Sequence, residues 1–139
     1  MSESRKPEIL FLCVHNAGRS QMAAAFARAI GEDRVVIHSA GTAPGEQLNP
    51  AVIEVMRERG LDLTGLAPQA LTEAMGLKSD VIVTMGCGDT CPVYPGTRYV
   101  DWELTDPAGL SLEEVRPIRD EIEARVISLL DDLLASPST

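Results

Sequence analysis

The chain is poor in aromatic residues, with one Trp, two Tyr and two Phe among 139 residues. That is little material for walling a cleft against an aryl ligand. Positive charge is also scarce: 12 Lys and Arg stand against 21 Asp and Glu, a formal charge of −9. A nucleic-acid partner would want a basic face, so none is expected. The same charge repels anions at long range, so any oxyanion must be held by local positive potential. No apolar run approaches the roughly 18–20 residues needed to cross a bilayer, and no membrane partner is expected. The opening MSESRKPE carries no apolar stretch of a secretory signal, so a cytoplasmic protein is expected. Three cysteines are too few, and odd in number, for a disulfide framework. With only two histidines, a four-ligand zinc site on Cys87 and Cys91 would have to borrow from Cys13, His15 and His38. No metal and no bound cofactor are expected.

No repeat, low-complexity segment or linker interrupts the sequence, which fits a single domain over 1–139 with a folded core at about 8–134. A monomer is expected. Residues 8–13 (EILFLC) read as a strand buried on both faces. Gly18-Arg19-Ser20 opens a helix to Ile30, with Met22, Ala23, Phe26, Ala27 and Ile30 at helical spacing and Gly31 as the stop. Residues 34–39 (RVVIHS) form a second strand. Asn49-Pro50 starts a helix reaching Arg59. A short helix is expected over 71–75, a third strand over 80–85 and a fourth around Tyr99-Val100. Ser111 reads as the N-cap of a long helix to about Leu134, with Pro117 predicting an irregular first turn or a later start. Alternating strands and helices predict an α/β fold: a four-stranded parallel sheet with helices on both faces. Ligands of such sheets bind beyond the carboxyl ends of strands. Cys13 and Cys87 both fall there.

The run from Cys13 through Val14, His15, Asn16, Ala17 and Gly18 to Arg19 and Ser20 combines a thiol, a short loop and a guanidinium at a helix start. The loop N–H groups can curve around one anion, as in a nest. The helix after Gly18 adds the positive end of its dipole, and Arg19 offers a planar fork to two oxygens. Together they favour a Cys13 thiolate, which Ser20 can hydrogen-bond and later steady as a leaving group. Asn16 suits a loop brace because it tolerates left-handed geometry. His15 is expected to contribute only its N–H. Such a loop is built to attack a tetrahedral oxyanion, arsenate or phosphate. A bare Cys-x5-Arg occurs by chance in roughly one chain in five of this composition. The preceding strand, the following helix and Ser20 remove most of that background. The bland alternative is a buried thiol ending a strand and an arginine capping a helix.

The loop resembles that of the low-molecular-weight protein tyrosine phosphatase superfamily. His38-Ser39-Ala40-Gly41-Thr42, the strand DVIVTM and Asp106-Pro107 extend the likeness over about 8–134. The resemblance implies an oxyanion site at 13–20 and a general acid at Asp106. Within the superfamily, Cys87-Gly88-Asp89-Thr90-Cys91-Pro92 and Trp102…Asp106-Pro107-Ala108-Gly109 resemble the arsenate reductases. What this implies is a relay. Cys13 attacks arsenate, Cys87 attacks Cys13 and releases arsenite, and Cys91 moves the disulfide to 87–91. An external thiol reductant then regenerates the enzyme: thioredoxin by resemblance, with mycothiol or glutaredoxin as alternatives. Only three residues separate Cys87 from Cys91, fewer than in the better-known members. Spacing i, i+4 nevertheless puts both thiols on one side of a helical turn. The family's potassium site lacks its expected residues: Ala24 stands for a Glu, and Ala67-Pro68-Gln69 for a Thr-x-Asp. A different brace for the loop is therefore expected.

Two other readings stay open from the sequence. If Cys87 and Cys91 are inert core thiols, the chain is a phosphate monoester hydrolase. If neither reaction turns over, it is an oxyanion-binding sensor.

Overall fold

The computed structural model describes residues 6–85 and 96–134. Strand β1 (Glu8–Cys13) lies inside the sheet, pairing in parallel with β2 (Val36–Gly41) on one side and β3 (Val81–Thr84) on the other. Strand β4 (Arg98–Asp101) adds to β3, giving the order β2-β1-β3-β4, all parallel. An inner parallel strand is buried on both faces, which is why Ile9, Leu10, Phe11 and Leu12 form an unbroken apolar run. Burying each is worth roughly 1.5–3 kcal/mol, so the strand that carries Cys13 is among the most firmly held parts of the chain.

Alternation along β1 divides the core. Ile9, Phe11 and Cys13 face the larger cluster, built with helices α1 (Arg19–Gly31), α2 (Pro50–Arg57) and α4 (Leu112–Leu134). Leu10 and Leu12 join Ala40 and Ile82 on the other face, covered by Leu71 and by Met75 of the short α3 (Glu73–Lys78). Helices thus lie on both faces, as the sequence predicts, but among the described residues three lie on one and a single short one on the other. Going from β1 to β2 the chain moves one way across the sheet, and β3 continues on the opposite side. The crevice beyond the carboxyl ends of β1 and β3 is therefore the topological switch point, where ligands of such sheets bind.

Besides shifts of one or two residues at the end of α2 and at both ends of β3, four details differ from the sequence expectation. Arg34 does not begin β2 but closes a 3-10 turn (Glu32–Arg34), donating to the Gly31 and Ile30 carbonyls at 3.2 and 3.0 Å. Strand β2 starts at Val36 and runs on to Gly41, opposite Cys13. Gly31 does not end α1 by a left-handed turn; Glu32, at φ 53°, takes that role. Gly31 is small because a Cβ there would lie 2.5 Å from Val35 Cγ2. Helix α3 begins at Glu73 because the Thr72 hydroxyl caps it, accepting from Met75 N–H at 3.2 Å. Pro117 lies inside α4, in its second turn, and the helix passes through it. A capping box anchors that start: Glu114 N–H donates to Ser111 Oγ and Ser111 N–H to Glu114 Oε1.

The buried Arg119 of α4 ties the α2 end to this helix, donating to the Val55 carbonyl (2.9 Å) and Glu58 (2.7 Å). Arg116 also grips Glu58, at 2.7 Å. Hydrogen bonds from Arg116 and Arg119 hold the Glu58 carboxyl down at about 2.

Candidate active site

Cys13 ends β1, and the loop after it rests on the backbone that continues β2. The N–H groups of Thr42, Ala43 and Gly45 donate to the carbonyls of Cys13, Val14 and His15 at 3.1, 2.8 and 2.9 Å. The carbonyl side of the loop is thus occupied, and its Asn16 N–H turns inward to the Cys13 sulfur at 3.2 Å. This seating needs Gly41, where an added Cβ would fall 2.5 Å from the Val14 carbonyl oxygen. The His38-Ser39-Ala40-Gly41-Thr42 segment therefore acts as the bed of the loop.

Asn16 is fully buried and takes φ 53°, the left-handed region that Asn tolerates. Its amide is oriented from behind: Gln69 N–H donates to Oδ1 at 2.9 Å, as does Gln21 Nε2 at 3.0 Å. Asn16 Nδ2 therefore faces Ser20 Oγ, at 2.7 Å. With Ser20 Oγ accepting that bond, its own hydrogen is free to point at Cys13 Sγ, 2.9 Å away. The result is a directed chain of donors that ends on a sulfur only 3% exposed. Such a chain polarises cooperatively and stabilises negative charge at its end. Helix α1 opens beside it, and its first N–H groups have no carbonyl partner within the helix.

Gln21 was not singled out from the sequence, though it directly follows the loop. Its buried Nε2 lies 3.1 Å from the Asn16 carbonyl, 3.0 Å from Asn16 Oδ1 and 3.4 Å from the Ala67 carbonyl. These surroundings do not fit the potassium ion that the family resemblance implies. The oxygens it would need already accept N–H bonds, and Ala24 offers only a buried methyl. The different brace that the sequence called for is the Gln21 amide, together with the Gln69 backbone.

Arg19 and Asp106 face each other across the opening. Arg19 Nη1 donates to the Leu104 carbonyl at 3.1 Å, and Nη2 stands 3.8 Å from Asp106 Oδ2. The arginine side chain is 11% exposed and Asp106 is 55% exposed. Asp106 Oδ1 accepts from Ala108 N–H at 3.0 Å, which fixes the carboxylate on its turn. The segment is anchored upstream by buried Trp102, whose N–H bonds the Thr84 carbonyl and whose ring lies 6.0 Å from that of Phe11. Loop and segment enclose a cavity of about 320 Å³, walled by residues 13, 15 and 17–19, by 45 and 47–50, and by 106–108. That wall contains no Phe, Tyr or Trp among the described residues. A carboxylate, a guanidinium and a thiol thus share one opening.

The structure brings together Cys13, Val14, His15, Asn16, Ala17, Gly18, Arg19, Ser20 and Asp106. The His15 ring adds a contact from Nδ1 to the Ala43 carbonyl at 3.2 Å. Cys87 and Cys91 lie outside the described residues. Asn49, which bridges Ala17 and Pro107, was read from the sequence only as a helix start.

The model of the low molecular weight phosphotyrosine protein phosphatase family matches residues 8–137. The chain belongs to this family. Among its relatives in this phosphatase family, a putative arsenate reductase of Halobacterium salinarum is 42% identical over 138 residues, covering 95% of this chain and 96% of its own. A glutaredoxin arsenate reductase of Synechocystis is 32% identical over 126 residues, covering 88% of this chain and 95% of its own. The solved structure of a thioredoxin-dependent arsenate reductase from Corynebacterium glutamicum superposes with a TM-score of 0.81 at 39% identity. It covers 96% of this chain, which spans 64% of that longer one.

Proposed function

We propose that the protein is an arsenate reductase working through a three-thiol relay. The observation that carries the reading is the hydrogen-bond chain from Gln69 through Asn16 and Ser20 to Cys13 Sγ, in a cavity shared with Arg19 and Asp106. The Cys13 thiolate attacks arsenic while Arg19 and the loop N–H groups hold the oxygens. An S–As bond forms and an As–O bond breaks, and the departing oxygen takes a proton from Asp106 and leaves as water. The Cys87 thiolate then attacks Cys13 Sγ. The S–S bond forms, the S–As bond breaks, and its electron pair stays on arsenic, reducing As(V) to arsenite. Cys91 attacks Cys87, frees Cys13 and leaves a Cys87–Cys91 disulfide. An external dithiol of the thioredoxin type takes that oxidation away, in keeping with a reducing cytoplasm. Mycothiol and glutaredoxin systems are the alternatives to test.

The absence of Phe, Tyr and Trp from the cavity wall among the described residues supports an inorganic ion over an aryl phosphate ester. The test is arsenate-dependent NADPH oxidation with thioredoxin, glutaredoxin and mycothiol systems in parallel, beside hydrolysis of p-nitrophenyl phosphate. Arsenate turnover with one of the three is expected. Ester hydrolysis without it would make the protein a phosphatase, and anion binding without either would make it a sensor. Cys91→Ser is expected to stop after one turnover with a Cys13–Cys87 disulfide, seen by mass spectrometry of non-reduced peptides. Normal turnover of Cys91→Ser with thioredoxin would refute the relay.

A further inference from the structure

Asn49 touches three elements at once. Its backbone N–H donates to the Ala17 carbonyl of the nucleophile loop at 2.9 Å. Its Oδ1 accepts from Ala51 N–H at 2.9 Å, capping α2. Its Nδ2 donates to the Pro107 carbonyl at 3.3 Å, directly after Asp106. That carbonyl also accepts from Leu110 N–H at 3.1 Å, which closes the turn carrying the carboxylate. Pro107 is buried although Asp106 is exposed, and its ring packs against Gly18 so closely that a Cβ there would lie 2.8 Å from Pro107 Cγ.

The cap alone needs only an acceptor, and Ser or Asp supplies one. What Asn adds is an amide donor on the opposite side of the same group. This donor reaches the peptide that positions Asp106, while the backbone of the same residue holds the loop of Cys13. Gly18 leaves the ring of Pro107 room to close against that loop. Resting on the reading of Asp106 as proton donor, we infer that Asn49 is a positioning residue. It fixes the separation between the proton donor and the nucleophile, rather than touching the oxyanion itself. Displacing a catalytic group by about 1 Å costs on the order of a hundredfold in rate, so a clamp of this kind reads out in kcat.

Asn49→Ser and Asn49→Asp both keep a capping oxygen and remove the donor to Pro107. Both are expected to slow single-turnover arsenate-dependent oxidation of Cys13 by about tenfold or more. Arsenate protection of Cys13 against iodoacetamide should stay within about twofold, because anion binding belongs to the loop and Arg19. In an Asp106→Asn background the Asn49→Ser change should cost nothing further, since Asn49 acts only through Asp106. Hydrogen exchange over 103–110 should quicken in Asn49→Ser while α2 stays protected, a readout independent of turnover. Unchanged oxidation rates, or an effect that multiplies with that of Asp106→Asn, would overturn the inference. So would unchanged exchange over 103–110. A wild-type protein that does not turn over arsenate would instead overturn the function on which the inference rests, and the two failures are told apart by that control.

Discussion

Replacing Gln21 by Leu removes the loop's brace at nearly constant volume, so the cost comes from hydrogen bonds rather than from a cavity. Three oxygens lose a donor. The Asn16 carbonyl belongs to a fully buried residue, and losing its Gln21 partner costs about 1–3 kcal/mol. Asn16 Oδ1 keeps the Gln69 N–H and loses only its second donor, about 0.5–1.5 kcal/mol. The Ala67 carbonyl belongs to an exposed residue and can turn to water at little cost. The expected loss is therefore about 1.5–4.5 kcal/mol in urea unfolding, a large share of the ~5–15 kcal/mol that holds a domain. With Asn16 unbraced, its left-handed backbone loosens and the N–H on Cys13 Sγ goes with it. Iodoacetamide labelling of Cys13, measured in a Cys87→Ser/Cys91→Ser background, should slow at neutral pH. Gln21→Glu should be at least as damaging, since a carboxylate would face the same three oxygens. A loss below ~0.5 kcal/mol with unchanged labelling would refute the bracing role.

Ser20→Ala takes away the hydroxyl 2.9 Å from Cys13 Sγ and leaves Asn16 Nδ2 without its acceptor. Hydrogen bonds to a charged partner are worth ~1.5–3 kcal/mol, so alkylation of Cys13 at pH 7 should slow about tenfold or more; an unchanged rate would remove Ser20 from the chain. Gly41→Ala should destabilise the fold by about 1–3 kcal/mol and disturb the loop, because backbone atoms stand where its Cβ would go. Gly45→Ala, whose nearest neighbour would be 3.9 Å away, is the control and should behave as wild type in the same unfolding assay. Glu58 is depressed in the folded state, so its contribution is present above the ordinary carboxylate range. That contribution is lost as pH falls from about 4.5 towards about 2. Urea midpoints of Glu58→Gln should therefore fall less steeply than wild type over that window, and parallel slopes would count against the Arg116–Glu58–Arg119 cluster.

The nucleophile loop was legible because all its parts are contiguous: strand, thiol, small residues, arginine and helix follow within residues 8–20. The sheet was legible for a similar reason, since an apolar run such as Ile9–Leu12 has few other uses in a short chain. What escaped were side chains whose partners lie far along the chain. Gln21 meets Ala67, Asn49 meets Pro107 and Arg119 meets Glu58, and nothing in local periodicity points across such gaps. The boundary of β2 was misplaced because Arg34 caps helix α1 with its side chain, which hydrophobic patterning does not register. Pro117 was given too much weight: a capping box at Ser111 and the buried contacts of Val115, Ile118 and Ile122 outweigh one missing N–H.

Cys13 is the last rung of a strand pinned on both sides and packed above and below. It has no slack. In the proposed reaction the arsenate therefore has to be delivered to the sulfur. The opening of about 320 Å³, shared with Arg19 and Asp106, is where the proposed reaction brings the oxyanion to a fixed nucleophile. Fixing the nucleophile and positioning the oxyanion are therefore one and the same geometric fact.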